Sequence, residues 1–157
     1  ITFVRQMKEA KLNVKYFHGW KGTWAGEYWK ALGKDAQYTL SDGFWSMDFP
    51  FSGAKELGER YYDQFQKYSV SIGAVYGLCQ ILWQAIEKAG TLDSAEVRKA
   101  VLDNEFETVM GKVKYDQNGV ATFISTAHQW RDGKQMTVSP FKWTNYKIQL
   151  APAWDQR

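Results

Sequence analysis

The chain has 157 residues, a net charge of +3, 45% hydrophobic residues and 24% charged residues, which is enough for one domain with a substantial core. Basic and acidic residues are interspersed, so there is no basic run of the kind that binds nucleic acid, and no apolar run is long enough to span a bilayer. Aromatic residues make up 17% of the chain. Most of these rings are expected in the core, and the others are candidates for the wall of a ligand cleft.

The first third of the chain predicts helices that alternate with short strands. The predicted elements are a helix over residues 1–12, a strand over 13–17, a helix over 24–32, a strand over 37–40 and an aromatic connector over 42–51. Because the first residue already lies inside a helical pattern, we expect the chain to be a fragment of a longer protein.

The middle of the chain predicts three helices. An amphipathic helix covers residues 54–67, and a long apolar helix ends at Gly90, a residue suited to a C-terminal cap. Another helix begins after Asp93 or Thr91, either of which can cap it. Cys79 lies among the leucines and isoleucines of the apolar helix, so we expect a small buried side chain rather than a nucleophile.

The last third changes to a period of two, which is typical of strands. Its turn at Asp116–Gly119 contains an Asn-Gly pair, which suits positive φ angles. The predicted strands are 108–115, a segment after this turn, 123–130 with its return over 135–138 beyond a tight turn at 131–134, and 147–150. Helices early in the chain and hairpins late in it together indicate an α/β fold.

No pattern in the chain indicates catalysis or metal binding. His18 and His128 are the only histidines, and no His or Cys spacing fits a structural zinc site. Nucleophile elbows and phosphate-binding glycine loops are absent as well. The acidic residues of the helix over 54–67 have the spacing of a solvated face. We therefore expect no cofactor and no metal, and an enzyme with an unrecognised site is the weakest functional hypothesis.

The clearest candidate for a binding site is the aromatic, glycine-rich loop over residues 17–24, FHGWKGTW. Open α/β sheets bind ligands where a strand end leads into a glycine-rich turn before a helix. Trp20 and Trp24 would form the walls, while Lys21 and the backbone N–H groups near Gly22 would donate hydrogen bonds. The alternative is a surface turn whose tryptophans fold back onto the core.

Several segments follow one another in an order that resembles a known family. The apolar stretch from Tyr76 to Gly90 precedes a helix over 93–101, which precedes the β segment and turn over 106–119. Further upstream, Leu32–Ala36 (LGKDA) resembles a Gly-Asp-Ala-Ala segment. In order and spacing, these segments are similar to the later part of the type I periplasmic solute-binding proteins of the branched-chain amino acid transporter family.

The resemblance implies a two-lobe periplasmic-binding-protein type I fold, of which this chain is a C-terminal fragment. Residues 1–41 would belong to the second lobe, 42–122 to the first lobe after a hinge crossing, and 123–157 to the return crossing and the end of the second lobe. Trp45 would lie at a crossing, and Ser71 near the start of the cleft-facing helix. The resemblance also implies a periplasmic or extracytoplasmic location, with a signal peptide in the missing N-terminal part.

The function implied by the resemblance is capture of a small solute by hinge closure and its delivery to the membrane permease of an ABC importer. In amino acid binders of this family an acidic residue in a Gly-x-x-Gly loop receives the ligand's ammonium group, and Lys21 takes that position here. A lysine attracts a carboxylate and repels an ammonium. We therefore predict a small carboxylate-bearing or otherwise acceptor-rich solute, aromatic compounds included. The predicted ligand-binding residues are Trp20, Lys21, Gly22, Trp24, Trp45 and Ser71.

Two other functions stay open on sequence alone. A ligand-sensing regulator on the same fold would control a partner protein instead of delivering a solute, and an enzyme would convert the compound that it binds. The chain itself is expected to self-pair or to form a domain-swapped dimer, because a fragment of two lobes leaves sheet edges unpaired.

Overall fold

The structure is a computed structural model that describes residues 1–157. Its helices are α1 (Thr2–Glu9), α2 (Gly26–Leu32), α3 (Ala54–Phe65), α4 (Ile72–Ala89) and α5 (Ser94–Asp103). Its strands are β1 (Leu40–Gly43), β2 (Glu105–Thr108), β3 (Gly111–Lys114), β4 (Thr126–Arg131) and β5 (Lys134–Ser139). Short 3-10 turns cover Trp20–Thr23, Gly33–Ala36, Phe141–Trp143 and Trp154–Gln156. This mixture of helices and strands confirms the α/β class predicted from the sequence.

The predicted helices are present, and the predicted caps lie at the ends of α4 and α5. Gly90 has a left-handed φ of 65°, and its N–H bonds to Ile86 O, so α4 ends where the sequence indicated. The Asp93 carboxylate accepts hydrogen bonds from the N–H groups of Ala95 and Glu96 at 3.0 and 3.1 Å, and it therefore caps α5. No helix combines the length and the hydropathy that a membrane crossing requires.

Strands from distant parts of the chain form one antiparallel sheet in the order β1-β4-β5. Leu40 pairs with Gln129 and Gly43 with Thr126, so β1 lies beside the first part of β4. The tight turn between β4 and β5 is at Asp132-Gly133, where the φ angles are 48° and 84°. This is the late hairpin that the sequence predicts, with β4 beginning at Thr126 rather than at residue 123.

Three of the predicted strands are wrong, and two of them are those at residues 13–17 and 147–150. Residues 13–17 form no strand, and one isolated bridge, at His18, joins the end of this region to β1. Residues 147–150 also form no strand, because the side chain of Gln129 occupies the place of a partner backbone. Its amide group bonds to the carbonyl and the N–H of Gln149 at 2.8 and 3.0 Å. Sequence periodicity does not reveal whether a backbone partner is available.

The predicted β segment over 108–115 is two short strands with a turn between them. Thr108 of β2 pairs with Gly111 of β3, and Val109 and Met110 lie between them. The Thr108 hydroxyl accepts from the Met110 N–H at 3.0 Å and donates to Gly111 O at 2.8 Å. Gly111 has a φ of 91°, which favours glycine at this position.

The turn predicted at Asp116–Gly119 is confirmed, and the strand predicted after it is wrong. Asp116 Oδ1 accepts hydrogen bonds from the N–H groups of Asn118 and Val120 at 2.9 and 2.8 Å. Beyond the turn there is only an isolated bridge between Tyr115 and Ala121. The Asp116 carboxylate and the hydrogen bond from the Asp116 N–H to Val120 O at 2.9 Å therefore hold the turn, which follows β3 and leads into no further strand.

Buried apolar side chains form three clusters. The first packs α1 and α2 against β4 and consists of Val4, Met7, Tyr28, Leu32, Ala36 and Trp130. The second lies around the start of α3 and consists of Trp45, Phe49, Ala54, Val109 and Met110. The third packs α4 against α5 and the β2–β3 hairpin and consists of Ile81, Ala85, Ala100, Phe106 and Val113.

Cys79 is exposed, so the prediction that it is buried is wrong. The buried residues of α4 recur every four positions: Gly73, Gly77, Ile81 and Ala85. Cys79 falls outside this stripe, on a face with several exposed apolar side chains. Because apolar residues occur on several faces of α4, its sequence does not show which face packs against the rest of the protein.

Candidate functional site

The loop that carries Lys21 is a 3-10 turn held by hydrogen bonds from β4 and β5. The carbonyl of Thr23 accepts from the Trp130 indole N–H at 2.8 Å and from Gln135 Nε2 at 3.1 Å. At Gly19, just before the turn, a Cβ atom would lie 2.2 Å from a methyl carbon of Thr23, so a side chain does not fit there. Thr23 is buried, and the turn has a defined position against the sheet.

Lys21 lies between the two tryptophan rings of this loop. Its Nζ is 5.6 Å from the centroid of the Trp20 ring and 5.9 Å from that of Trp24. The Trp24 indole N–H donates to Asp42 Oδ1 at 3.1 Å, and its ring meets Phe44 edge-on at 6.1 Å. Trp20 is 57% exposed, and Lys21 takes part in none of the ion pairs of the structure. An exposed ammonium group therefore stands beside flat aromatic surface.

The other predicted site residues have different surroundings. Gly22 is exposed, with open space where a Cβ atom would be. Ser71 is half-buried just before α4, and its hydroxyl shares a 3.0 Å hydrogen bond with that of Ser69. Trp45 is 1% exposed, and its indole N–H donates to Val109 O at 3.2 Å. The loop residues and Ser71 are thus accessible, while Trp45 is not.

Trp45 packs in the second core cluster against the start of α4. A Cβ atom at Gly73 would lie 2.0 Å from the Trp45 ring, so the helix approaches the indole as closely as glycine allows. The family resemblance implies that Trp45 lies at a crossing between the lobes, and a tryptophan suits a cleft wall and a core equally well. Its ring lies in the core, and a contact between Trp45 and a solute stays a prediction.

A cleft of about 220 Å³ lies between the connector after β1, the loop before α4 and the β4–β5 hairpin. Its lining residues are Ser46, Met47, Asp48, Tyr68, Ser69, Val70, His128, Lys134, Gln135 and Met136. Lys134 Nζ is 5.4 Å from the centroid of the Tyr68 ring, so a cation–π contact joins the two sides. Gln135 connects this cleft to the Lys21 loop through its hydrogen bond to Thr23.

The residues that line this cleft are not among the predicted site residues. Two predicted residues, Trp45 and Ser71, are sequence neighbours of the lining residues Ser46 and Val70. An isolated aromatic side chain just before a long apolar helix was the available signal for Tyr68. Nothing in the local sequence indicated that a strand more than fifty residues later, carrying His128, forms the opposite wall.

A buried chain of hydrogen bonds starts at His128 and ends at the edge of this cleft. Thr137 Oγ1 donates to Ser46 Oγ at 2.7 Å, and Ser46 Oγ donates to Asp48 Oδ2 at 3.3 Å. Because the single hydroxyl hydrogen of Thr137 is used, His128 Nδ1, 3.3 Å away, is the donor to Thr137. A neutral ring then accepts at Nε2 from the Thr126 hydroxyl at 2.8 Å.

The surroundings of His128 favour this neutral form. The side chain is 0% exposed, and burial lowers the pKa of His128 from 6.5 to about 4, against an opposite effect of Asp42. The structure contains no group of three or more His, Cys, Asp or Glu side chains arranged around a metal ion. The buried, neutral ring suits a role in packing and in the orientation of the strands.

Comparison with known proteins gives a match over most of the chain. A family model described as periplasmic binding protein matches residues 1–135. A leucine-binding protein from Thermotoga maritima superposes with a TM-score of 0.67 over 86% of this chain at 19% sequence identity. An ABC transporter substrate-binding protein from Desulfitobacterium hafniense, in complex with leucine, gives 0.65 over 87% at 19% identity. A branched-chain amino acid transporter substrate-binding protein from Streptococcus pneumoniae, in complex with isoleucine, gives 0.70 over 85% at 17% identity.

These likenesses concern the fold and a part of the length of each protein. The chain spans 39% of the Thermotoga and Desulfitobacterium structures and 38% of the Streptococcus structure. They confirm the type I periplasmic-binding-protein fold predicted from the order of the segments. The leucine and isoleucine in these structures are ligands of those proteins.

Proposed function

The chain belongs to the periplasmic binding protein family, and from this premise we propose that it is part of the extracytoplasmic solute-binding subunit of an ABC importer. The family consists of solute-binding proteins rather than enzymes. In this role the protein captures a small organic solute between two lobes that close around it, and presents the closed form to a membrane permease. No step of this cycle requires a catalytic residue or a cofactor.

The strongest structural support for this proposal is the ammonium group of Lys21, which forms no ion pair. It has no carboxylate partner and lies within 6 Å of two tryptophan ring centroids. A cation in this position attracts a carboxylate and disfavours the ammonium group of an amino acid. We therefore infer that the solute is a small carboxylate or another acceptor-rich compound, and that Trp20 and Trp24 suit a flat one.

We assign residues 1–41 and 123–157 to one lobe and residues 42–122 to the other. The distribution of the core supports this division, because the first cluster draws only on the former segments and the third only on the latter. Trp143 is an exception, since it packs on the second cluster from the last segment. On this division the cleft beside Tyr68 lies between the lobes, which is where a solute would promote closure.

Two contacts across this division favour the closed arrangement. The cation–π contact between Lys134 and Tyr68 crosses the cleft. Next to it, Lys67 Nζ lies 3.8 Å from Glu27 Oε1, which joins the loop after α3 to α2. A solute that binds both sides would add to these contacts, and the closed form would then predominate.

The proposal predicts that Lys21 discriminates between anionic solutes and amino acids. In the intact protein, Lys21→Glu should weaken the binding of small carboxylates such as benzoate by about tenfold or more, because a charge-assisted hydrogen bond of roughly 1.5–3 kcal/mol is replaced by repulsion. Calorimetric titration of benzoate and of leucine, isoleucine and valine into wild type and variant measures this difference.

Lys30→Glu is the matched control, because Lys30 is an exposed lysine on α2 and the same charge is reversed. The control should bind benzoate as wild type does. Tight binding of leucine, isoleucine or valine that Lys21→Glu leaves unchanged would refute the assignment of solute polarity.

A further inference from the structure

Gln135 of β5 makes hydrogen bonds to two other elements of the site. Its Nε2 donates to Thr23 O at 3.1 Å and to Ser41 Oγ at 2.9 Å. A side-chain amide has two N–H bonds, so both are used. The same residue lines the cleft beside Lys134 and Met136. Gln135 is thus in contact with the Lys21 loop, with β1 and with the space that a solute would enter.

The bond to Thr23 acts on Lys21 through one short turn. Thr23 closes this turn on itself, because its hydroxyl donates to Trp20 O at 2.9 Å. Trp20 has a φ of 46°, a conformation that is unfavourable for a residue with a side chain and persists only where the surroundings hold it. The donors from Gln135 and from the Trp130 indole on the Thr23 carbonyl are the contacts from the sheet that hold it.

The amide oxygen of Gln135 faces no partner within the protein. It accepts no hydrogen bond, and the structure has no polar side-chain atom that is both buried and unpaired, so this oxygen is open to solvent. On a residue that lines the cleft, such an oxygen can accept a hydrogen bond from an O–H or N–H group of a solute. A contact there would act on the same side chain that holds the turn.

We propose that Gln135 is the positioning residue for Lys21, which holds the ammonium group in place and so sets the preference for anionic solutes. This inference rests on the solute-binding function proposed above. Gln135 touches the loop carbonyl and not the carboxylate of the solute, so its effect is on selectivity through the position of Lys21. Without its two hydrogen bonds, the turn loses one of its two donors from the sheet and its connection through Gln135 to Ser41.

The first test follows the turn itself and needs no solute. Gln135→Met keeps the length of the side chain and removes both hydrogen bonds, so amide hydrogen exchange over residues 20–24 should become at least about fivefold faster. Gln37→Met is the matched control, because Gln37 bonds to Asp132 at 3.2 and 2.8 Å on the same hairpin without touching the turn. In the control, exchange over 20–24 should be unchanged.

A second variant keeps the test decisive if Gln135→Met does not fold. In Gln135→Glu the carboxylate can accept from the Ser41 hydroxyl, which reverses the direction of that hydrogen bond, but it cannot donate to the Thr23 carbonyl. It should show the same faster exchange over residues 20–24. Unchanged exchange in a folded Gln135 variant would overturn the proposal.

The selectivity test uses benzoate and benzamide, which have similar shapes and differ in charge. In the intact protein, the ratio of benzoate to benzamide affinity should fall at least about fivefold in Gln135→Met and stay unchanged in Gln37→Met. A general loosening of the fold would weaken both probes equally and leave the ratio alone, which would overturn the role of Gln135 in selectivity. A wild-type protein with no preference for benzoate would instead overturn the proposed solute class, while the exchange result would still decide whether Gln135 holds the turn.

Discussion

His128 shows how a buried polar residue makes stability depend on pH. The folded protein keeps the ring neutral down to about pH 4, whereas in the unfolded chain the ring takes up a proton near pH 6.5. Between these values the unfolded state binds more protons than the folded state, so stability falls as the pH falls. The contribution of His128 to the free energy of unfolding is complete above pH 6.5, and it is lost progressively as the pH falls towards 4.

We predict that the free energy of unfolding decreases by roughly 3 kcal/mol between pH 7 and pH 4 through His128 alone. Urea unfolding at a series of pH values measures it. In His128→Gln this part of the pH dependence should disappear, because glutamine has no charge to gain. His18→Gln, at the exposed second histidine, should keep the wild-type profile, and a His128→Gln profile identical to wild type would contradict the prediction.

For single residues, the sequence predicts contacts within one turn, and it does not predict contacts between residues that are distant along the chain. The proximity of Trp20, Lys21 and Trp24 was predictable, because residues within or next to one short turn lie close together in any fold of the remaining chain. Tyr68 and Lys134 are far apart in sequence and meet only in the folded protein. Their side chains are ordinary surface types, so no local pattern marks them.

At the scale of elements, helix ends were predictable and strands less so. Gly90 and Asp93 act on their own helices through backbone conformation and short-range hydrogen bonds, which a local sequence encodes. A strand needs a partner, and the residues at 13–17 and 147–150 have strand-like composition without one. The connection between α2 and the loop after α3 is of the same kind, because the sequence gives no sign that Lys67 meets Glu27.

The ion pair between Lys67 and Glu27 yields a prediction about closure. Lys67→Glu should lower solute affinity of the intact protein by about two- to fivefold, since an exposed pair contributes roughly 0.2–1 kcal/mol and repulsion replaces it. The double change Lys67→Glu with Glu27→Lys should restore affinity, because it re-forms the pair with reversed charges. Calorimetric titration of wild type, Lys67→Glu, Glu27→Lys and the double variant gives the coupling between the two residues.

A similar ion pair inside α3 provides the control. Lys55 Nζ lies 3.6 Å from Glu59 Oε1, and both residues are exposed on one helix. Lys55→Glu should leave solute affinity unchanged, because this pair does not join the proposed lobes. Equal effects of Lys55→Glu and Lys67→Glu would mean that net charge, and not a contact across the cleft, determines the affinity.

At the scale of the whole molecule, one face of α4 is apolar and uncovered. Val75, Leu78, Leu82 and Trp83 are each half or more exposed. Apolar patches of this kind associate in water. We predict that the 157-residue chain on its own self-associates through this face, that light scattering shows a mass above 18.2 kDa, and that Leu78→Glu with Leu82→Glu restores the monomer. Monomeric elution of the wild-type chain at high concentration would contradict this.

The overall architecture was predictable because the order of helices, turns and hairpins is characteristic of one family even where single strands were wrong. The cleft could not be predicted from the sequence, because its walls come from the connector after β1, the loop before α4 and the β4–β5 hairpin. A pattern along the chain identifies elements, and only their packing brings these walls together.

We propose that solute binding requires two lobes that close on one another, of which this chain supplies a part. It spans 39% of the Thermotoga structure that shares its fold. The most direct test is calorimetric titration of one carboxylate solute into the isolated chain and into the intact protein under the same conditions. We predict tight one-to-one binding by the intact protein and weak or undetectable binding by residues 1–157. Tight, stoichiometric binding by the isolated chain would contradict the two-lobe assignment.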